Sequence, residues 1–319
     1  MRPIQSIIII VVLFISDGAH ADCILGSNSV AEVVQCLQSN YFHTVAGSLS
    51  NATWYGEPNP MVPNAAETQA FKDLIAATLT NDDCDPANIP STIAGVVEVH
   101  AFSVKKLSYC IIMEQTSQLD TNGKFVRGWP IVVVAFCKNG CKKIHHSAPH
   151  TKSDTNTDVQ AAAIFEQSNG HTLVVSSVRR DALNEVKSSC QSNYYPCDGA
   201  HDTLTMFHHA VVAVHDWQTT SGCPLASCAY MQWHGKGSST CPDDSAFVSA
   251  GNYGTDPIYQ NVDAPVNKAV TGQFVHVEQE YALRNTDSEI ALIADAVHLA
   301  FGTAGGSGGG GGGKRGGRG

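Results

Sequence analysis

The chain has 319 residues, with 19 Lys and Arg against 29 Asp and Glu and a formal net charge of −10. An acidic body of this kind is a poor nucleic-acid partner, because binding the phosphate backbone needs a surplus of Lys and Arg, so no nucleic acid is expected for the folded domain. With 43 % hydrophobic residues and about 280 positions between leader and tail, the chain can bury the core of one large domain.

Residues 1–21 read as a secretory signal peptide. Ile7 to Ile15 is apolar and uncharged, and Ala19-His20-Ala21 offers a small-x-small cleavage site; the run is too short for a membrane span. A secreted, extracellular chain starting at Asp22 meets an oxidising environment, so the eleven cysteines are expected to form disulfides with one left over. Cys137/Cys141, Cys190/Cys197 and Cys223/Cys228 could each close a small loop, although spacing does not fix pairing. Asn51-Ala52-Thr53 is a glycosylation acceptor pattern.

Ser29 to Tyr41 and Ala65 to Leu79 repeat apolar residues at three- and four-residue spacing, which predicts two amphipathic helices. Strands follow. Ala94 to Phe102, Ser108 to Met113 and Pro130 to Phe136 are rich in Val and Ile, and Asp120-Thr121-Asn122-Gly123 marks a turn between two of them. Strands and helices then alternate: a helix from Thr155 or Thr157 through Phe165, a strand Thr172 to Ser176, a helix Thr203 to Trp217, strands Ala229 to Trp233 and Phe274 to Glu278, and a helix Ser288 to Phe301 stopped by Gly302. The expected class is α/β, a single domain over 22–303. It should be a disulfide-stabilised three-layer α/β/α arrangement with a mostly parallel or mixed sheet. Residues 304–319, almost all glycine with Lys314, Arg315 and Arg318, read as a disordered basic tail.

Three segments far apart supply what a single-metal hydrolase needs. His150 and Asp154 follow Pro149 in one loop, where both side chains can reach a common point, and His234 follows an apolar stretch at a strand end beside Gly235. Catalytic zinc takes three protein ligands and keeps one open position, so His150, Asp154 and His234 are the candidate ligands for one Zn2+ per chain. Glu278 and Glu280 share a face of the last strand, and either suits a general base and acid. Arg179 and Arg180 follow another strand, where a guanidinium could hold a substrate carboxylate or an oxyanion. The remaining histidines read more blandly. His145 and His146 alternate to opposite faces of a strand, so at most one faces the site. His208 and His209 lie on a helix whose apolar positions suggest core packing, and His201-Asp202 reads as a helix cap.

The stretches Ala148 to Asp154 with Thr157 and Ala161, Val178 to Asn184, Gln232 to Gly235 and Val277 to Arg284 resemble the zinc-dependent carboxypeptidase-like hydrolases. The nearest branch is that of N-formylglutamate amidohydrolase and poly-γ-glutamate hydrolase. The likeness spans Pro130 to Phe301. It implies a site built from a Pro-His segment with a following acid, a later strand-borne His-Gly and a near-terminal Glu, with Asn184 assisting. The spacing here is His-x-x-x-Asp where carboxypeptidases use His-x-x-Glu, which leaves Asp154 and Asp158 as alternatives for the acid. Amide or peptide hydrolysis near a carboxylate-bearing group, on a small-molecule or peptide substrate, is the implied activity. A non-catalytic binding or structural protein on the same scaffold, and a metal-dependent phosphatase or esterase, are the competing readings.

Overall fold

The computed structural model describes residues 22–56, 60–104, 107–137, 140–185, 195–221, 228–235, 247–251, 274–279 and 281–301. The expected signal peptide, the Gly-rich tail, Cys190, Cys223 and Glu280 lie outside them. The helices are α1 (Val30–Asn40), α2 (Asn51–Tyr55), α3 (Ala65–Asn81), α4 (Thr157–Ser168), α5 (Met206–Thr220), α6 (Tyr281–Asn285) and α7 (Asp287–Ala300). The strands are β1 (Val97–Val104), β2 (Leu107–Glu114), β3 (Ile131–Ala135), β4 (Lys143–Ala148), β5 (Thr172–Val175), β6 (Cys228–Gly235), β7 (Phe247–Gly251) and β8 (Phe274–Gln279).

Local chemistry sets the helix starts. Ser29 caps α1 by accepting from the Glu32 backbone N–H, and Asn64 with Glu67 closes a reciprocal capping box on α3. The strands form one sheet in the order β1-β2-β3-β5-β4-β6-β8-β7. The pairs β5-β4, β4-β6 and β6-β8 are parallel, and the flanks β1-β2-β3-β5 and β8-β7 are antiparallel, so the sheet is mixed. Alternate residues along β2 and β3 enter opposite layers. Ile111 and Val133 pack with α1, α4 and α7, while Ile112, Val132 and Val134 pack with α3 and α5. Burial on both faces explains why these strands read as unbroken apolar runs.

The structure begins β1 three residues later than expected, because the Val97 N–H closes a turn onto the Ile93 carbonyl. The short elements α2, β7 and α6 are too brief to carry a periodicity. Disulfides join Cys23 to Cys36, Cys84 to Cys110 and Cys137 to Cys141, and Cys228 is disulfide-bonded as well. Cys197 is a free thiol, which rules out the Cys190/Cys197 loop. Its Sγ instead donates to the carbonyl of Arg180 at 2.9 Å. No described helix is long and apolar enough to cross a membrane.

Candidate metal centre

The parallel strands β4, β5, β6 and β8 present their carboxyl ends together, the edge where α/β folds collect ligand-binding groups. After β4, Pro149 leads into a single helical turn in which the Asp154 N–H donates to the His150 carbonyl at 3.1 Å. Residues four apart on such a turn project to the same side, and this brings His150 and Asp154 together. Lys152 and Asn156 take left-handed backbone (φ 59° and 68°) to shape the turn. Arg284 anchors it from α6, donating Nη1 to the carbonyls of Asp154 (2.6 Å) and Thr155 (2.9 Å). A Cβ on Gly235 would stand 1.9 Å from that Nη1, so a side chain there would displace the Arg284 guanidinium from the turn. The Gly235 N–H in turn donates to Asp154 Oδ2 at 3.0 Å.

His234, one residue before the end of β6, is in register with Glu278 of β8, and Gln232 is in register with His276. Alternation turns all four to one side of the sheet. His150 Nδ1 lies 2.9 Å from Asp154 Oδ2, His234 Nδ1 lies 3.2 Å from His150 Nδ1, and His234 Nδ1 lies 3.5 Å from Asp154 Oδ2. Ligand atoms about 2.0–2.1 Å from a tetrahedral zinc stand about 3.3 Å apart, so the triangle has the dimensions of three zinc ligands. The far nitrogens agree. Gln232 Oε1 lies 2.7 Å from His234 Nε2 and Asp198 Oδ1 lies 2.8 Å from His150 Nε2. Hydrogens donated there leave both Nδ1 lone pairs free for a cation.

The three residues are 2–5 % exposed. Burial opposes a charge on His150, but the carboxylates of Asp198 and Asp154 outweigh it and raise its pKa to about 10. Burial likewise opposes ionisation of Asp154 and Asp198, and His150 overrides it for both, holding each well below the usual carboxylate range. His234 goes the other way: burial, reinforced by the His276 imidazole, lowers it to about 3. Without a metal the cluster therefore holds a proton on His150 between two carboxylates, and a cation binding there releases it.

Two further groups adjoin this trio. His150, Asp198 and His201 are close enough to hold an ion, as are His234, His276 and Glu278. The His276 and His234 rings stack at 4.2 Å, and His276 Nε2 lies 3.0 Å from Glu278 Oε1. Burial works against a charge on Glu278, yet the hydrogen bond from His276 together with the attraction of the His234 and His276 imidazoles outweighs it and lowers its pKa.

Of the expected residues, His150, Asp154, His234 and Glu278 meet here, and Arg180 Nη1 reaches within 3.6 Å of Asp154 Oδ1. Arg179 does not take part, because its guanidinium pairs with Asp181 two residues on. Glu280 lies outside the described residues. Asp158 is excluded as the acid: it sits in the first turn of α4, accepting from Thr151 Oγ1 at 2.5 Å and from Gln38. Asn184 is exposed, with its Cβ beside Gly47. His145 and His146 do take opposite faces, but neither reaches the site. His145 bonds Thr172 and Gln218, and His146 accepts from Trp233 Nε1 at 3.1 Å. His208 is buried on α5 as core. His201-Asp202 is not the helix cap: Thr205 caps α5 by accepting from the His208 N–H, Asp202 accepts from the Leu204 N–H in the loop before it, and His201 belongs to the cluster. Sequence reasoning missed Asp198, His201 and His276. An Asp-x-x-His spacing before a helix and a His-x-Glu alternation on a strand were the available signals, and neither is specific.

No known protein family matches the chain, and no curated protein does. Among solved structures, the gene product Atu2144 from Agrobacterium tumefaciens is similar with a TM-score of 0.34 and 14 % identity. The match covers 50 % of this chain and 88 % of that one, and at this level it carries no functional argument.

Proposed function

We propose that this protein is a secreted zinc-dependent hydrolase that cleaves an amide or peptide bond near a carboxylate-bearing group. The observation that carries the reading is the buried His150, Asp154 and His234 trio, with ligand-sized edges and both Nδ1 lone pairs turned inward. A zinc ion held there supplies Lewis acidity, polarising a substrate carbonyl and making water more acidic. Glu278, ionised and half-buried beside His234, takes the proton of the attacking water and returns it to the departing nitrogen. Arg180, partly exposed at the rim, donates to a substrate carboxylate or to the developing oxyanion. The disulfides fit an exported chain.

The test is metal analysis of the purified protein together with hydrolysis of N-acyl amino acids and short peptides carrying a free carboxylate. About one zinc per chain and turnover of a panel member are expected. Zinc-loaded protein inert across the panel would leave a non-catalytic binding scaffold. The two adjoining His/Asp/Glu groups support a second reading, a two-metal phosphatase or esterase, for which two ions per chain are expected.

A further inference from the structure

Asp198 sits behind the proposed ligands. Its Oδ1 accepts from His150 Nε2 at 2.8 Å and from the Ala200 backbone N–H at 3.1 Å, and His201 Nδ1 lies within ion-pair distance at 3.1 Å. The residue is 1 % exposed, and a carboxylate so far from water persists only when partnered. The His201 ring runs parallel to that of His150, 4° apart in plane with centroids 6.0 Å apart. The turn carrying Asp198 is fastened to the opposite side of the site by its neighbour Cys197, whose Sγ donates to the carbonyl of Arg180.

We infer that Asp198 is the positioning residue of the metal centre, holding His150 by Nε2 so that Nδ1 faces Asp154 and His234, and supplying the second buried negative charge. The inference rests on the zinc reading above. Two arguments carry it. Asp198 touches only the nitrogen of His150 that points away from Asp154 and His234, so it acts through the imidazole, and carboxylates in that position fix ligand tautomer and raise ligand basicity. Charge supplies the second. With both imidazoles neutral, Asp154 and Asp198 together bring two negative charges, which one divalent ion balances; a second ion on Asp198 and His201 would leave an excess of two buried positive charges. The group formed by His150, Asp198 and His201 is thereby assigned to orientation, with His201 steadying the carboxylate.

The experiment measures zinc per chain and the zinc dissociation constant, by chelator competition, for the full-length protein and for Asp198→Asn, Asp198→Glu and His234→Ala. The thermal midpoint of each metal-free protein serves as the folding control. Wild type is expected to hold one zinc. Asp198→Asn, which preserves shape but removes the charge, should keep that stoichiometry and bind about 10–100-fold more weakly. Asp198→Glu keeps the charge but shifts the oxygen, and should fall between them; should the Asn variant not fold, it decides the matter alone. Affinity within two-fold of wild type in a folded Asp198 variant would overturn the inference. So would two zinc ions in wild type falling to one in Asp198→Asn, which would make Asp198 a ligand. A wild type that binds no zinc, indistinguishable from His234→Ala, would sink the zinc reading itself.

Discussion

His146 and His150 are four residues apart, and both are at most 2 % exposed, yet they belong to different chemistry. His146 stacks on Trp233, meets Phe165 edge-on and accepts a hydrogen bond from the indole. Among the described residues no carboxylate bonds to it, and burial holds it down at about 3. His150 has a carboxylate on each nitrogen and is raised to about 10. Burial by itself turns a histidine into a neutral packing element, like His145 against Thr172 and Gln218. Opposed carboxylates make it a place for positive charge, whether a proton or a metal ion.

The sharpest way to break that contrast is metal content. His150→Ala and His234→Ala are expected to lose nearly all bound zinc. His146→Ala is expected to keep it and instead lose about 2–5 kcal/mol of stability, as emptied core sites do. Elemental analysis and urea unfolding check both, and equal zinc loss in His146→Ala and His150→Ala would erase the distinction. Next in size is the proton-transfer group: Glu278→Gln should leave zinc content unchanged while lowering kcat about 10²–10⁴-fold. Steady-state kinetics at matched metal loading decides it, with unchanged turnover removing Glu278 from the mechanism. A smaller effect separates the two neighbouring arginines. Arg180→Gln should lower kcat/KM for a carboxylate-bearing substrate about 10–100-fold, the worth of a charged hydrogen bond, and Arg179→Gln should do little because its partner is Asp181. Equal losses in the two variants would show that the rim contact of Arg180 is not what the substrate uses.

The contrast also explains what the sequence disclosed. Layers and element types were legible because apolar periodicity reports burial, as in the alternation of Ile111 and Ile112 into opposite cores. His150, Asp154 and His234 were legible because glycine, proline or an acid beside a strand end constrains the backbone there. Asp198 and His201 were not, since they lie in a loop between β5 and α5 and reach His150 across 48 residues or more of chain. Nothing local told Arg180 from Arg179 either; a two-residue pairing with Asp181 decided it. The expectation of a mostly parallel or mixed sheet left open which pairs are antiparallel, because an apolar strand reads alike in either direction.

The last and smallest effect sharpens the comparison through pH, and its two halves have opposite signs. His146 and His208 are lowered by burial to about 3 from an ordinary 6.5. Their contribution to stability is present above 6.5 and is lost as pH falls toward 3, at up to about 1.4 kcal/mol per pH unit for each. In the metal-free protein His150 is raised to about 10, so its contribution is complete below 6.5 and is lost as pH rises through about 10. Urea unfolding of metal-free protein between about pH 4 and pH 10 should therefore show a separate acidic and alkaline decline. His146→Leu should make the acidic decline shallower by one histidine's share and leave the alkaline one, because it removes one of the buried groups that must stay neutral without disturbing the carboxylates. His150→Gln should do the reverse, since Asp154 and Asp198 then face no proton to lose. If both substitutions changed the same side of the profile, charge pairing would not be what distinguishes these two equally buried histidines.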